Sequence, residues 1–164
     1  MMAKIIKKRM TAEIEGEFVI FLIGVRINKP WLVHKWWSPV VAMPRMLKEL
    51  EQHPEKGLLG YHLHLGFPVT MVVQYWRSFE QLADYAGSRD AQHWPAWVAF
   101  NKQVGSGGSV GIWHETYRVA AGAYETVYNN MPEYGLGRAG NLETAVGRKS
   151  TAAGRIQASR NTVE

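Results

Sequence analysis

Residues 70–100 read TMVVQYWRSFEQLADYAGSRDAQHWPAWVAF. Thr70 to Trp76 is a β-branched and aromatic run that stops at Arg77-Ser78. Ser78 followed three residues later by Gln81 has capping-box form, in which a hydroxyl and an amide each satisfy an orphan N–H at a helix start. Phe79, Leu82, Tyr85 and Ala86 then recur at helical spacing, and Gly87-Ser88 ends the stripe. His93 follows beside Trp94 and Trp97, where a second short helix is expected. A strand feeding straight into an amphipathic helix is one half of a split βαβ unit.

The other half lies upstream. Glu17 to Arg26 reads as a strand with Val19, Phe21, Ile23 and Val25 on one face and Phe18, Ile20 and Leu22 on the other. A strand apolar on both faces needs cover on both, and a partner subunit's sheet is the economical second cover. Ser38-Pro39 has the form of a helix N-cap followed by proline at the first position, and Pro44 is expected to break or restart that helix. Leu58 to Leu65 and Val69 to Arg77 read as strands joined by Gly66-Phe67-Pro68. Gly105 to Ser109 is a loop, Val110 to Val119 the last long strand, and Ala123 to Tyr128 an optional short edge strand. The order β-α-β-β-α-β defines an α+β, ferredoxin-like domain over residues 14–137. Residues 1–13 form a basic N-terminal extension. Residues 138–164, which lack aromatics, are expected to be a flexible basic tail.

The chain has 164 residues, no cysteine and a net charge of +5. Thiolate chemistry and disulfides are excluded, and a reducing cytoplasm fits. The positive charge sits mainly at the two ends, which argues for solvated tails rather than a nucleic-acid surface. No apolar run is long enough to span a bilayer, and Glu13, Glu15 and Glu17 interrupt the basic-then-apolar order of a leader, so neither a membrane nor export is expected. There is no dinucleotide-binding glycine pattern, phosphate-cradling loop or nucleophile elbow.

The strand, Trp, small capping residue, helix and downstream His of Val72 to Trp97 resemble the antibiotic-biosynthesis-monooxygenase superfamily of dimeric α/β-barrel proteins. TAEIEGEFVIFLIGVRINKPW, MVVQYWRSFEQLADYA, GIWHETY and YNNMPEYGLG, across roughly residues 11 to 137, resemble a widespread family of small monooxygenase-like proteins, formerly a domain of unknown function. The resemblance implies a homodimer with a pocket between sheet and helices. It also implies an oxygen-using enzyme acting on an apolar, aromatic or polyketide-like substrate without a bound nucleotide. A haem-binding protein or haem-dependent dehydratase on the same fold is the alternative, with His34, His62, His64, His93 and His114 as the supply of imidazoles; a non-catalytic small-ligand-binding module is the second. Tyr85 stands where haem-degrading relatives carry a distorting Trp, which weakens that branch.

His62, His64 and His93 are the candidate proton-transfer residues, because imidazole titrates near neutral pH. His62 and His64 share one strand face. Two imidazoles make half a metal site, but His114 and Glu115, the available completions, point to opposite faces of their own strand, so no metal is expected. Trp76, Arg77, Tyr85 and His114 are the candidate substrate-binding residues, although the area a Trp buries favours the helix–sheet core for Trp76, and a surface pair with a carboxylate such as Glu80 is the default for Arg77. Tyr128 to Gly137, with paired amides, an aromatic and two glycines, reads as a lid or fixed loop.

Overall fold

The computed structural model describes residues 3–88, 94, 98 and 107–160, side chains at 38, 39 and 42 excepted. In chain order the described residues form β1 (Ile6–Glu13), β2 (Phe18–Ile27), helix α1 (Val33–Gln52), β3 (Leu58–His64), β4 (Val69–Trp76) and α2 (Phe79–Gly87). They continue with β5 (Val110–Val119), β6 (Tyr128–Met131), α3 (Leu136–Ala139), β7 (Asn141–Thr144) and α4 (Ala152–Arg160). The four longer strands make one antiparallel sheet in the order β3-β4-β2-β5. With α1 between β2 and β3, and α2 after β4, this is the ferredoxin-like split βαβ arrangement.

The helices cover one face. Val19, Leu50, Trp76 and Leu82 are buried together, with Phe21, Leu58 and Tyr85 packed around them. Trp76 is fully buried, and its indole N–H donates to Gln74 Oε1 at 2.8 Å, so the buried amide oxygen is satisfied by the ring that excludes water from it. Ser78 caps α2 by accepting from Gln81 N at 3.2 Å, as the sequence predicts. The reciprocal arm of the box is not made: Gln81 Nε2 reaches back to Glu55 O instead and ties α2 to the turn before β3.

Helix α1 starts earlier than its Ser-Pro signal predicts and runs through both prolines without a break. Trp36 Nε1 donates to Pro30 O at 3.0 Å and anchors the early start. At the other end Leu47 and Leu50 bury themselves in the core. An interior proline costs about 3 kcal/mol, and the burial of those leucines is of the size needed to offset it.

The larger differences concern the two chain ends. β1 lies at the centre of a second sheet, order β6-β1-β7, in which Met10 pairs with both Tyr128 and Thr144. The short strand expected at 123–128 is β6, displaced to 128–131 and in this sheet. Ala12, Ile14 and Leu136 pack on Phe18, with Ile20, Tyr75, Val119 and Leu142 around them. The chain therefore covers part of the second face of β2 itself, where a partner's sheet was expected. Residues 1–13 are not an appended extension from Ile6 onward, and residues 138–160 are not a loose tail. Two of the tail's cations, read as solvated, are paired within the chain: Lys149 Nζ lies 2.6 Å from Glu13 and 2.5 Å from Glu143, and Arg155 Nε lies 2.7 Å from Glu125. The short helix expected around Trp94 lies largely outside the described residues, as does His93.

Candidate functional site

Period-two alternation splits β3 between two environments. Tyr61, opposite Gln74, faces the helices, while His62, opposite Val73, faces the other way. β3 is the edge of the large sheet, and the Tyr134–Ala139 segment lies against it.

On the helix side is a cavity of about 290 Å³. Leu50, Leu58 and Leu59 supply apolar walls, and Glu51, Tyr61 and Arg138 supply the polar groups. Tyr61 Oη donates to Glu51 Oε1 at 2.9 Å, and burial together with this carboxylate pushes the phenol pKa up. The Arg138 guanidinium sits 5.9 Å from the centre of the Tyr61 ring. The cavity is thus an open cleft of mixed lining, with a cation, a phenol and a carboxylate beside leucine walls, groups that could orient a small molecule.

On the far side of β3, His62 stacks on Tyr134 with ring centres 4.0 Å apart and planes at 29°. His62 Nε2 accepts from the Gly135 N–H. A ring nitrogen that accepts carries no proton, so this geometry selects the neutral imidazole protonated at Nδ1. Burial lowers the His62 pKa, and the nearby charges of Arg138 and His64 push in the same direction. His64 lies on the same face, its Nε2 3.4 Å from Tyr134 Oη and its side chain exposed. Beneath them Tyr75 is pushed up to about 12, chiefly by burial, with Tyr128 and Tyr134 adding. Gly135 makes this close approach possible. Its φ of +58° is unfavourable for side-chain-bearing residues, and a Cβ there would stand 3.3 Å from Tyr75 Oη and 3.4 Å from Tyr128 Oη.

The structure gathers some of the residues singled out in the sequence and separates others. His62 and His64 come together, joined by Tyr134, Gly135 and Arg138. Trp76 belongs to the core and has no surface to offer a ligand. Tyr85 packs against Trp76 at 5.8 Å, donates to Glu49 Oε2 at 3.3 Å, and has its pKa raised above the usual phenol range, first by burial and then by Glu49. Arg77 is exposed and donates to Glu15 O at 3.1 Å. The cation beside the imidazoles is Arg138, not Arg77. His114 lies 5.6 Å from Phe21 on β5, at the opposite edge and on the opposite face from His62. Among the described residues no group of three His, Asp or Glu side chains is arranged to hold a metal. Tyr61, Tyr134 and Arg138 went unassigned in the sequence; the irregular Tyr128–Gly137 segment was the signal that could have found Tyr134, and Arg138 directly follows it.

The chain spans 56% of the length of one curated relative, Monooxygenase af470 of Aspergillus fumigatus, to which it is 27% identical over 159 residues covering 84% of this chain. Among solved structures it resembles a Bacteroides thetaiotaomicron protein of unknown function, titled a possible oxidoreductase, at 15% identity and a TM-score of 0.43 over 62% of this chain and 97% of that one. It also resembles Rv0793 from Mycobacterium tuberculosis, at 17% identity and a TM-score of 0.39 over 59% and 92%. The family model for monooxygenase af470-like proteins matches residues 18–136, from the first residue of β2 through the Tyr134–Gly135 contact to His62, and the chain belongs to that family.

Proposed function

We propose that the protein is a monooxygenase-like enzyme that oxidises an apolar, aromatic or polyketide-like compound at the β3 edge without a bound nucleotide. The observation that carries this reading is that the two faces of β3 hold a His62–Tyr134–His64 cluster and a cavity lined by Tyr61 and Arg138, in a chain of a monooxygenase-like family. His62, its acceptor nitrogen occupied by Gly135, orients Tyr134. A substrate reaching round the β3 edge gives a proton from an activated methylene to His64 on one side, and Arg138, carried past that edge, stabilises the resulting enolate. Oxygen then reacts with the electron-rich carbon. The methylene becomes a carbonyl, and its two hydrogens leave with the second oxygen atom as water, so the substrate itself supplies the electrons.

The test is oxygen uptake with a panel of anthrones and 1,3-dicarbonyl aromatics, followed by ¹⁸O₂ incorporation into product. His64→Ala and Arg138→Ala are expected to lower kcat/KM by at least tenfold, about 1.4 kcal/mol of transition-state stabilisation. If both variants turn over at the unaltered rate, the site lies elsewhere. If no panel compound consumes oxygen, the substrate class is wrong.

We also propose that the protein acts as a homodimer. The part of the second sheet face left over by β1, β6 and β7 carries Leu22, Met71, Val73, Trp113 and Tyr117 around the carboxylate of Glu115, which accepts from Tyr117 Oη; Tyr117 is 50% exposed. A second copy's sheet is the cover that suits this apolar remainder.

A further inference from the structure

Three loops converge at the end of the large sheet where β2 finishes. Ile27 N donates to Pro68 O at 2.8 Å, which holds the Leu65–Pro68 hairpin tip against the 28–32 loop. Asn28 N and Lys29 N both donate to Ser109 O, at 3.0 and 3.2 Å, which brings the 107–109 loop to the same place. The large apolar side chains here are not buried. Leu65 is 78% exposed, Trp31 and Phe67 73% each, and Trp37, one turn into α1, 57%.

Among the described residues, charge at this end is of one sign. No Asp or Glu occurs between Glu17 and Glu49, between Glu55 and Glu80, or between Asp90 and Glu115. Those acid-free stretches contain the converging loops; Arg26, next to last in β2, lies beside Val69, Lys29 lies in the loop tied to Ser109, and His34 and Lys35 follow in the first turn of α1. The acidic residues of the described fold lie elsewhere, for example Glu13, Glu125 and Glu143 around the C-terminal segment.

We propose that this tip is a docking surface for an anionic lipid bilayer. Trp and Phe favour the headgroup boundary, Leu enters the acyl edge, and flanking Lys and Arg meet anionic headgroups. No described helix is long and apolar enough to cross a membrane, so the contact is peripheral. Charge complementarity decides the occupant: a rim whose described charges are all basic repels a second copy of itself and attracts an anionic surface. The proposal does not rest on the reaction assigned above.

The experiment is cosedimentation of the full chain with vesicles of phosphatidylcholine alone and with about one-third phosphatidylserine, at ~0.1 M salt and again at ~0.5 M. Binding is expected only to the phosphatidylserine vesicles, and it weakens with salt. The exposed-tip variant Leu65→Ser/Phe67→Ser loses at least about tenfold in partitioning, and Lys29→Glu at least about fivefold. Arg148→Glu, on the turn whose Lys149 pairs with Glu13 before β2, leaves partitioning unchanged. Circular dichroism of each variant confirms the fold. No binding of the unaltered chain to anionic vesicles overturns the proposal. So does an equal loss in Arg148→Glu, which would mean general charge attraction. A halved mass of the tip variant without lipid would make the patch a chain–chain contact and overturns it too.

Discussion

Arg155→Met tests whether the C-terminal segment belongs to the cooperative fold. Arg155 is 5% exposed. Its Nε donates to Glu125 Oε2 at 2.7 Å, and its Nη1 donates to the carbonyls of Lys149 and Ser150 at 3.1 and 3.2 Å. Methionine keeps most of the volume and removes all three bonds. Breaking a fully buried ion pair costs about 3–5 kcal/mol because the surviving charge is stranded. Here the survivor, Glu125, keeps 32% of its side chain in water, which softens that term. The two carbonyls lose charged donors, but they sit on the 147–150 turn where solvent reaches them. A net loss of about 2–3 kcal/mol follows. For a chain of this size each kcal/mol lowers Tm by about 2–4 °C, so the melt should move down by roughly 5–10 °C. Calorimetry with Glu125→Gln and the double variant completes the cycle, and a coupling of at least about 1 kcal/mol is expected between the two sites. If residues 141–160 detached as a separate unit, the loss would be capped at the small free energy of that opening, and the main transition would not move. A Tm change below about 2 °C for Arg155→Met, together with an unchanged melt after removal of residues 147–164, would refute the reasoning.

Gly135→Ala is expected to destabilise by roughly 2 kcal/mol, from the positive φ and the approach to two phenols, with loss of the His62 stack visible as a shift of the His62 ring protons by NMR. Because the folded His62 pKa lies below its unfolded value near 6.5, its contribution is full above that pH and is lost as pH falls through the folded pKa. Denaturant melts between pH 7.5 and 5 should show this decline, and His62→Gln should flatten it; parallel curves would remove His62 as the cause. Light scattering should give twice the 18.6 kDa chain mass, and Leu22→Glu on the uncovered part of the sheet should return it to the chain mass; a monomer before substitution would sink the dimer proposal.

The large sheet was legible because its strands are long and its signals local. Seven to ten residues of alternating or continuous apolarity, a Ser78 cap and a Pro68 turn each speak for themselves. The second sheet was not. β6 is YNNM and β7 is NLET, four residues each, too short for a period of two to show. β1 reads IKKRMTAE, in which three consecutive cations mask the alternation. These segments become strands through partners far away in sequence, as when Thr126 Oγ1 accepts from Ala12 N at 2.7 Å, 114 positions apart. The same distance hid the role of the tail's charges. Composition counts Lys149 and Arg155 as solvated cations, whereas the fold supplies a carboxylate to each.

The site was half legible for the same reason. Period two alone places His62 and His64 on one face, but nothing local says that Tyr134 and Gly135, some seventy positions on, will close over them. The closing segment has a second task that makes its position necessary. β3 is an edge strand, and an uncovered edge invites pairing with another chain. α3 lies against it so closely that a Cβ at Gly60 would stand 3.1 Å from Ala139 Cβ. The helix that shields the edge is the one that carries Arg138 to the cavity, and the turn that starts it presents the Gly135 N–H to His62. A substitution that loosens α3 therefore opens the sheet edge and disperses the proposed site together. Variants meant to probe the chemistry belong on side chains such as His64 and Arg138, which leave that backbone contact in place.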